Sequence, residues 1–371
     1  MNFELTEDEE MLKAVVERFV ADCYDVEKRR QFLKEPGGYS RSNWSTLADL
    51  GILAIPFAED DGGLGLDTTA LSVVFQALGR GIVVEPVLES AILPGLYLSH
   101  GLSGAVRDEW LPALLAGERR VALARRASGF YEATRPVSVQ HDGDGFVLSG
   151  QSPYAIAGGE ADGFIVAAAA NAADHAAGSS DIALFLVPAD AAGLDIREWR
   201  FADGTHTASL SFDDCRIAAS HRLDIAPDAA DRIETLATLA RASEALGIMD
   251  AIFAETLDYL RTREQFGTQI GTFQAIQHRM AGLYATLEQC RALIETAIVS
   301  EGTEHFAANA HGARAFIAEH SLKLGHEMIQ MHGGMGITDE LSIGQGHKRL
   351  LVLSRWPEQP QATLDRYAAA L

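Results

Sequence analysis

The chain has 371 residues and carries 52 acidic against 30 basic side chains, a formal charge of −22 at pH 7. Such acidity argues against a nucleic acid or an anionic membrane surface as partner, because both need a basic face to displace counterions. With 47% apolar and 22% charged residues, the composition is that of a globular protein of two or three domains and not of a disordered chain.

Cys23, Cys215 and Cys290 lie far apart, with no CxxC pair, so neither a disulfide framework nor a cysteine metal site is expected. The first residues, Met1-Asn2-Phe3-Glu4-Leu5, run into acidic side chains and lack the basic and apolar regions of a secretory signal. No apolar run reaches the ~18–20 residues of a membrane span. A cytoplasmic protein is expected.

Residues 1–120 read as a helical domain. Thr6 and Glu9 form a T-x-x-E capping box, and Met11, Leu12, Val15, Val16 and Phe19 then recur on one helical face. Further helical runs are predicted at Trp44–Ile55, Ala70–Leu78 and Asp108–Leu115, with a proline- and glycine-bearing loop from Ile55 to Leu66.

Over residues 121–222 the period falls to two. Val137–Val139 and Phe146–Leu148 flank Asp142-Gly143-Asp144-Gly145, a hairpin signal, and Phe164–Ala167, Ile182–Val187 and Ala208–Phe212 are strand-like. Ala168–Ser180 reads as a surface loop, so this block is a small β-domain. Residues 223–371 return to the helical period in long segments, Asp228–Arg261, Gln274–Ser300 and Glu304–Gln330, with a final stretch at Ala362–Leu371. Long helices with short links predict a four-helix bundle. The order α, β, α gives an α+β protein.

Metal and phosphate signatures are missing: His326-Glu327 does not continue to HExxH, and no GxxxxGK occurs. Two segments ask for more than bundle packing. In Arg261-Thr262-Arg263-Glu264-Gln265-Phe266-Gly267, followed by Phe273-Gln274, a helix is predicted to stop at Gly267. Its arginines either complement the helix dipole or form a fork that takes a phosphate bidentately. In Gln330-Met331-His332-Gly333-Gly334-Met335-Gly336, the glycines either end a helix or let backbone approach a flat or anionic ligand.

In this order, the loop Gly51–Leu66, the R-E-Q-F-G segment with Gln274, and the Q-M-H-G-G-M-G segment resemble the acyl-CoA dehydrogenase family over essentially the whole chain. The resemblance implies oxidation of an acyl-CoA thioester to the 2-enoyl-CoA. A carboxylate removes the α-proton while the β-hydrogen leaves as hydride to the flavin of FAD. It also implies FAD lying across an interface in a homo- or hetero-oligomer, dimer or tetramer, and an electron-transfer flavoprotein or similar acceptor. By the same resemblance Arg263 would bind the pyrophosphate and Phe266 would pack on the cofactor. Gln274, Gln330, Gly333 and Gly334 would contact its ADP portion.

The flavin-ring half departs from the family pattern. Where a T-E-P-x-x-G-S-D stretch is expected, the chain reads Ala127-Ser128-Gly129-Phe130-Tyr131-Glu132-Ala133, and the W-I-T position falls on Tyr154-Ala155-Ile156, which keeps an aromatic and loses the threonine. The family glutamate position falls on Pro357, beside Glu358. The alternative one falls on Ala237, with Glu244 two turns on along the same face. Glu358 and Glu244 are the candidate bases; Glu358 sits among prolines in an expected loop, and Glu244 suits equally a buried partner for an arginine.

Asp339-Glu340-Leu341-Ser342-Ile343-Gly344 followed by His347-Lys348-Arg349-Leu350 resembles the small subunit of pimeloyl-CoA-type dehydrogenases, and the eroded ring half resembles heteromeric steroid-type enzymes. Three readings follow: a subunit sharing FAD with a partner in fatty acid or steroid catabolism, a self-sufficient homomer using Glu358, and a non-catalytic scaffold.

Overall fold

The computed structural model describes residues 5–125, 136–169 and 182–369. The chain divides into two compact units. One collects Met1–Gln31, Thr68–Val83 and Thr235–Leu371; the other collects Phe32–Asp67 and Val84–Glu234.

The first unit is helical. Helix α1 (Glu7–Cys23) begins at the expected capping box: the Thr6 hydroxyl accepts from the Glu9 N–H, and the Glu9 carboxylate accepts from the Thr6 N–H at 2.7 Å. A short α2 (Val26–Phe32) follows, unmarked by any period because seven residues make barely two turns. Helix α4 (Thr68–Arg80) packs on α1 and against α7 (Pro227–Thr262), the longest helix. The approach of α4 to α7 depends on two glycines facing opposite ways. A Cβ on Gly79 would lie 2.2 Å from the Glu244 carbonyl oxygen, and one on Gly247 would lie 2.0 Å from that of Gln76. Across the same seam the Ser72 and Ser243 hydroxyls meet at 2.8 Å.

The remaining helices are α8 (Gln274–Val299), α9 (Phe306–His332), α10 (Ser342–Arg355) and α11 (Pro360–Ala369). Helix α9 packs on α8, α10 and α11. Helix α10 was not marked by the sequence because Gly344 and Gly346 lower its propensity. Gly346 instead lets it lie close to Ile248 and Ile252. No helix among the described residues is long and apolar enough to cross a membrane.

The second unit carries α3 (Arg41–Asp49), α5 (Leu93–Gly101), α6 (Gly104–Leu115) and an eight-stranded sheet. Its strands are β1 (Val121–Arg125), β2 (Ser138–Asp142), β3 (Gly145–Ile156), β4 (Gly163–Ala169), β5 (Ile182–Pro188), β6 (Leu194–Arg200), β7 (His206–Ala218) and β8 (Arg222–Leu223). The order runs β6-β7-β3-β1-β4-β5-β8, and β2 pairs with both β3 and β4. The expected hairpin is present: Asp142 pairs with Gly145 across Gly143-Asp144, with Gly143 at φ +62°. Leu148, Phe164, Val166, Phe185, Val187, Ala208 and Leu210 form a fully buried core. Most of the Ala168–Ser180 segment and all of Ala127–Ala133 lie outside the described residues.

Candidate functional site

Helix α7 ends at Thr262, not at Gly267. Beyond it, β9 (Glu264–Gln265) and β10 (Thr268–Gln269) form a two-residue hairpin, with Gln265 opposite Thr268. The loop residues Phe266 and Gly267 both have positive φ, +55° and +77°, as a type I′ turn requires. Gly267 therefore serves the hairpin and not the helix stop expected of it. Gly267 adopts this conformation freely, whereas Phe266 bears a strain of about 1–2 kcal/mol. Phe266 is also 93% exposed, meeting Phe273 edge-on at 6.3 Å. Beyond that edge contact, the Phe266 ring is left to solvent among the described residues.

The two arginines of this segment divide. Arg261 is taken up by Asp258 one turn back, at 2.9 Å. Arg263 is exposed, and its side chain makes no hydrogen bond or ion pair among the described residues. Its backbone is fixed at both ends: its N–H donates to the Tyr259 carbonyl at 2.8 Å, and its carbonyl accepts from Ile270 at 2.9 Å. Gln274, the first residue of α8, is likewise exposed.

At the C-terminus of α9, Gln330 is exposed. Gly333 leaves the helix at φ +60°, ψ −138°, its N–H donating to the Gln330 carbonyl. A Cβ on Gly333 or on Gly334 would meet nothing within 4 Å, so this backbone faces open space. Met335 (48% exposed) and Ile337 (73% exposed) follow in the same turn. The ends of α7 and α9 are brought together by a ring contact: His332 stacks on Tyr259 at 4.3 Å with 23° between planes. Arg263, Phe266, Gln274, Gln330, Gly333 and Gly334 thus all belong to the helical unit, Gln330 in the last turn of α9 and the others after the ends of α7 and α9.

After this turn, Asp339 is tied to α10. Lys348 Nζ lies 2.7 Å from its carboxylate, and that hydrogen bond and charge hold the Asp339 carboxyl below the usual carboxylate range. His347 packs over Gly325, and its ring lies 4.6 Å from that of His326. Burial, aided by His326, keeps the His347 pKa below the ordinary histidine value.

Tyr154 belongs to the other unit. It lies in the register shift between Ser152 and Ala155 on β3, where irregular pairing re-aims a side chain. Its ring packs with Trp199 at 5.2 Å and is parallel to Phe201 at 6.4 Å. Sequence reading missed these two neighbours, although the W-x-F spacing on adjoining residues gives the signal.

Both candidate bases are engaged. Glu244 Oε1 accepts from Arg349 Nε at 2.7 Å, and the two side chains are only 11% and 16% exposed. Glu358, in the link between α10 and α11, accepts from Thr363 Oγ1 at 3.1 Å and pairs with Arg366 Nε at 3.0 Å. It stands far from Gly333. The Trp356 carbonyl, two residues before Glu358, is bound by Arg314 of α9, and Arg314 lies about 24 Å along that helix from Gln330 at ~1.5 Å per residue. No group of three His, Cys, Asp or Glu side chains suited to a metal occurs among the described residues.

Two family models match the chain: acyl-CoA dehydrogenase, N-terminal domain, over residues 6–118, and acyl-CoA dehydrogenase, C-terminal domain, over residues 235–356. Acyl-CoA dehydrogenase FadE27 of Mycobacterium tuberculosis is 27% identical over 346 residues, 91% of this chain and 90% of that protein. The ChsE4–ChsE5 complex from Mycobacterium tuberculosis contains a chain of the same fold at 26% identity. Its TM-score is 0.88, covering 100% of this chain and 98% of that one. A glutaryl-CoA dehydrogenase from Mycobacterium smegmatis, solved in complex with FADH2, shares the fold at 22% identity with a TM-score of 0.87, covering 99% and 95%. By its two matching domains and the fold they describe, the chain belongs to the acyl-CoA dehydrogenase family, oxidoreductases that act on a CH–CH group.

Proposed function

We propose that this chain is the subunit of an FAD-dependent acyl-CoA dehydrogenase that supplies the diphosphate-holding half of a flavin site shared with a partner. The observation that carries the reading is the asymmetry between the two kinds of candidate residue. At the α7–α9 end, the Arg263 side chain makes no hydrogen bond or ion pair among the described residues, and Gly333 and Gly334 face open space. Both carboxylates, by contrast, are occupied by arginines.

The open end suits an ADP portion. A guanidinium with free donors takes a pyrophosphate bidentately, and glycine backbone admits its close approach. FAD, when bound, supplies the acceptor for the substrate's β-hydrogen. The chain's own part is to hold and orient: Arg263 meets the diphosphate charge, Phe266 covers the cofactor, and Gln274 and Gln330 offer amide groups. Glu358 keeps both oxygens on Arg366 and Thr363, an arrangement suited to fixing the start of α11 and not to taking a proton from substrate. The α-proton therefore goes to a carboxylate of the partner. The likeness to one chain of the ChsE4–ChsE5 complex supports a heteromeric assembly, and that to the Tcur3481–Tcur3483 steroid ACAD, at 26% identity, supports the steroid type.

An absorption spectrum tests the reading. The purified chain alone is expected to be colourless and to become yellow when assembled with its partner subunit. Flavin bands at one equivalent in the chain alone would favour a self-sufficient homomer.

A further inference from the structure

We propose that His332 and Tyr259 act as a positioning pair that sets the Gly333–Gly334 turn relative to the Arg263 hairpin; the inference rests on the flavin reading above. His332 is 5% exposed. Its Nδ1 lies 2.9 Å from the Met328 carbonyl, to which an Nδ1–H donates, and this bond fixes the plane of the ring. That plane stacks on Tyr259 at 4.3 Å.

From the stack, two short backbone paths run to the open face. The Tyr259 carbonyl accepts from the Arg263 N–H at 2.8 Å, so a shift of Tyr259 moves the root of the hairpin. On the other side Gly333 follows His332 directly, and the turn folds back beneath it. A Cβ on Gly336 would lie 2.6 Å from the Ile329 carbonyl oxygen and 3.1 Å from His332 Cβ. The exposed side chains of Arg263 and Gln330 make no hydrogen bond or ion pair among the described residues. Registry between the two segments is instead set one layer below, by the stacked rings.

The test uses the flavin-loaded assembly, stripped of FAD and titrated back with it. His332→Leu and Tyr259→Leu keep an apolar side chain in place and lose the stack; each is expected to weaken FAD about tenfold. The double variant is expected to be no weaker than either single one, because both remove the same contact. His332→Phe restores a ring without the Nδ1–H bond and should bind FAD more tightly than His332→Leu. Additive losses in the double variant, a lowered melting temperature with unchanged FAD affinity, or failure of His332→Phe to rescue would overturn the proposal. Arg263→Ala, run alongside, separates the two readings. If it leaves FAD affinity unchanged, the flavin reading itself fails. If it weakens FAD while the ring variants do not, only the positioning role fails.

Discussion

Arg349 of α10 holds Glu244 of α7 at 2.7 Å in a nearly buried pair, joining two helices whose residues lie 105 positions apart. The same stretch of α7 touches α4 backbone to backbone at Gly79, so the pair stiffens the seam where three segments of the helical unit meet. Removing one partner of a buried ion pair strands the other in a poor solvent.

Glu244→Ala is accordingly expected to lower unfolding stability by about 3 kcal/mol. Urea unfolding of the variant beside the wild type checks the loss.

Arg263→Ala is expected to weaken FAD retention by the assembled enzyme ten- to a hundredfold, the equivalent of ~1.5–3 kcal/mol for a charge-assisted hydrogen bond to a pyrophosphate. Dialysis of the loaded assembly followed by absorption at the flavin bands measures it. Because the side chain is exposed and makes no hydrogen bond or ion pair among the described residues, the melting temperature of the flavin-free protein should stay the same.

For Glu358→Gln, turnover should change by less than about tenfold, against the 10²–10⁴-fold loss that removing a general base produces. Glutamine retains the acceptor for Thr363, and Arg366, 59% exposed, loses a pair that solvent already screens. Steady-state kinetics on a fully flavinylated assembly decides the matter.

His347 makes stability depend on pH. The fold holds its pKa below the ordinary histidine value of 6.5 through burial and the neighbouring His326. The unfolded chain therefore binds the proton first as pH falls through 6.5, so the folded state loses stability below that value and the loss levels off once the folded pKa is passed. His347→Gln should flatten this part of the stability curve between pH 7 and 5. Thermal melts across that range, for both proteins, show the difference.

Much of this architecture was legible in local pattern. The Thr6–Glu9 box, the Gly143-Asp144 turn and the long helices α7, α8 and α9 each carry their signal within a few consecutive residues or over many turns. The Phe266-Gly267 hairpin was misread because two-residue strands establish no period, and a glycine after an apolar helix looks like a stop. Helix α10 was hidden by glycines that serve packing against Ile248 and Ile252. Motif spacing could bring Arg263 and Gly333 under one heading, but not the stack of Tyr259 on His332, which depends on two helices ending side by side. That Glu244 is bound by an arginine could be anticipated from its apolar surroundings; that the arginine is Arg349 could not.

The flavin content and mass of the native assembly distinguish a shared site from a self-sufficient one. If this chain supplies the diphosphate half and its partner the ring half, each pair of chains contains one complete site. Light scattering with flavin quantitation on the active enzyme should then give a mass well above that of a single chain and one FAD per two chains. An active species with the mass of one chain and one FAD bound to it would contradict the account.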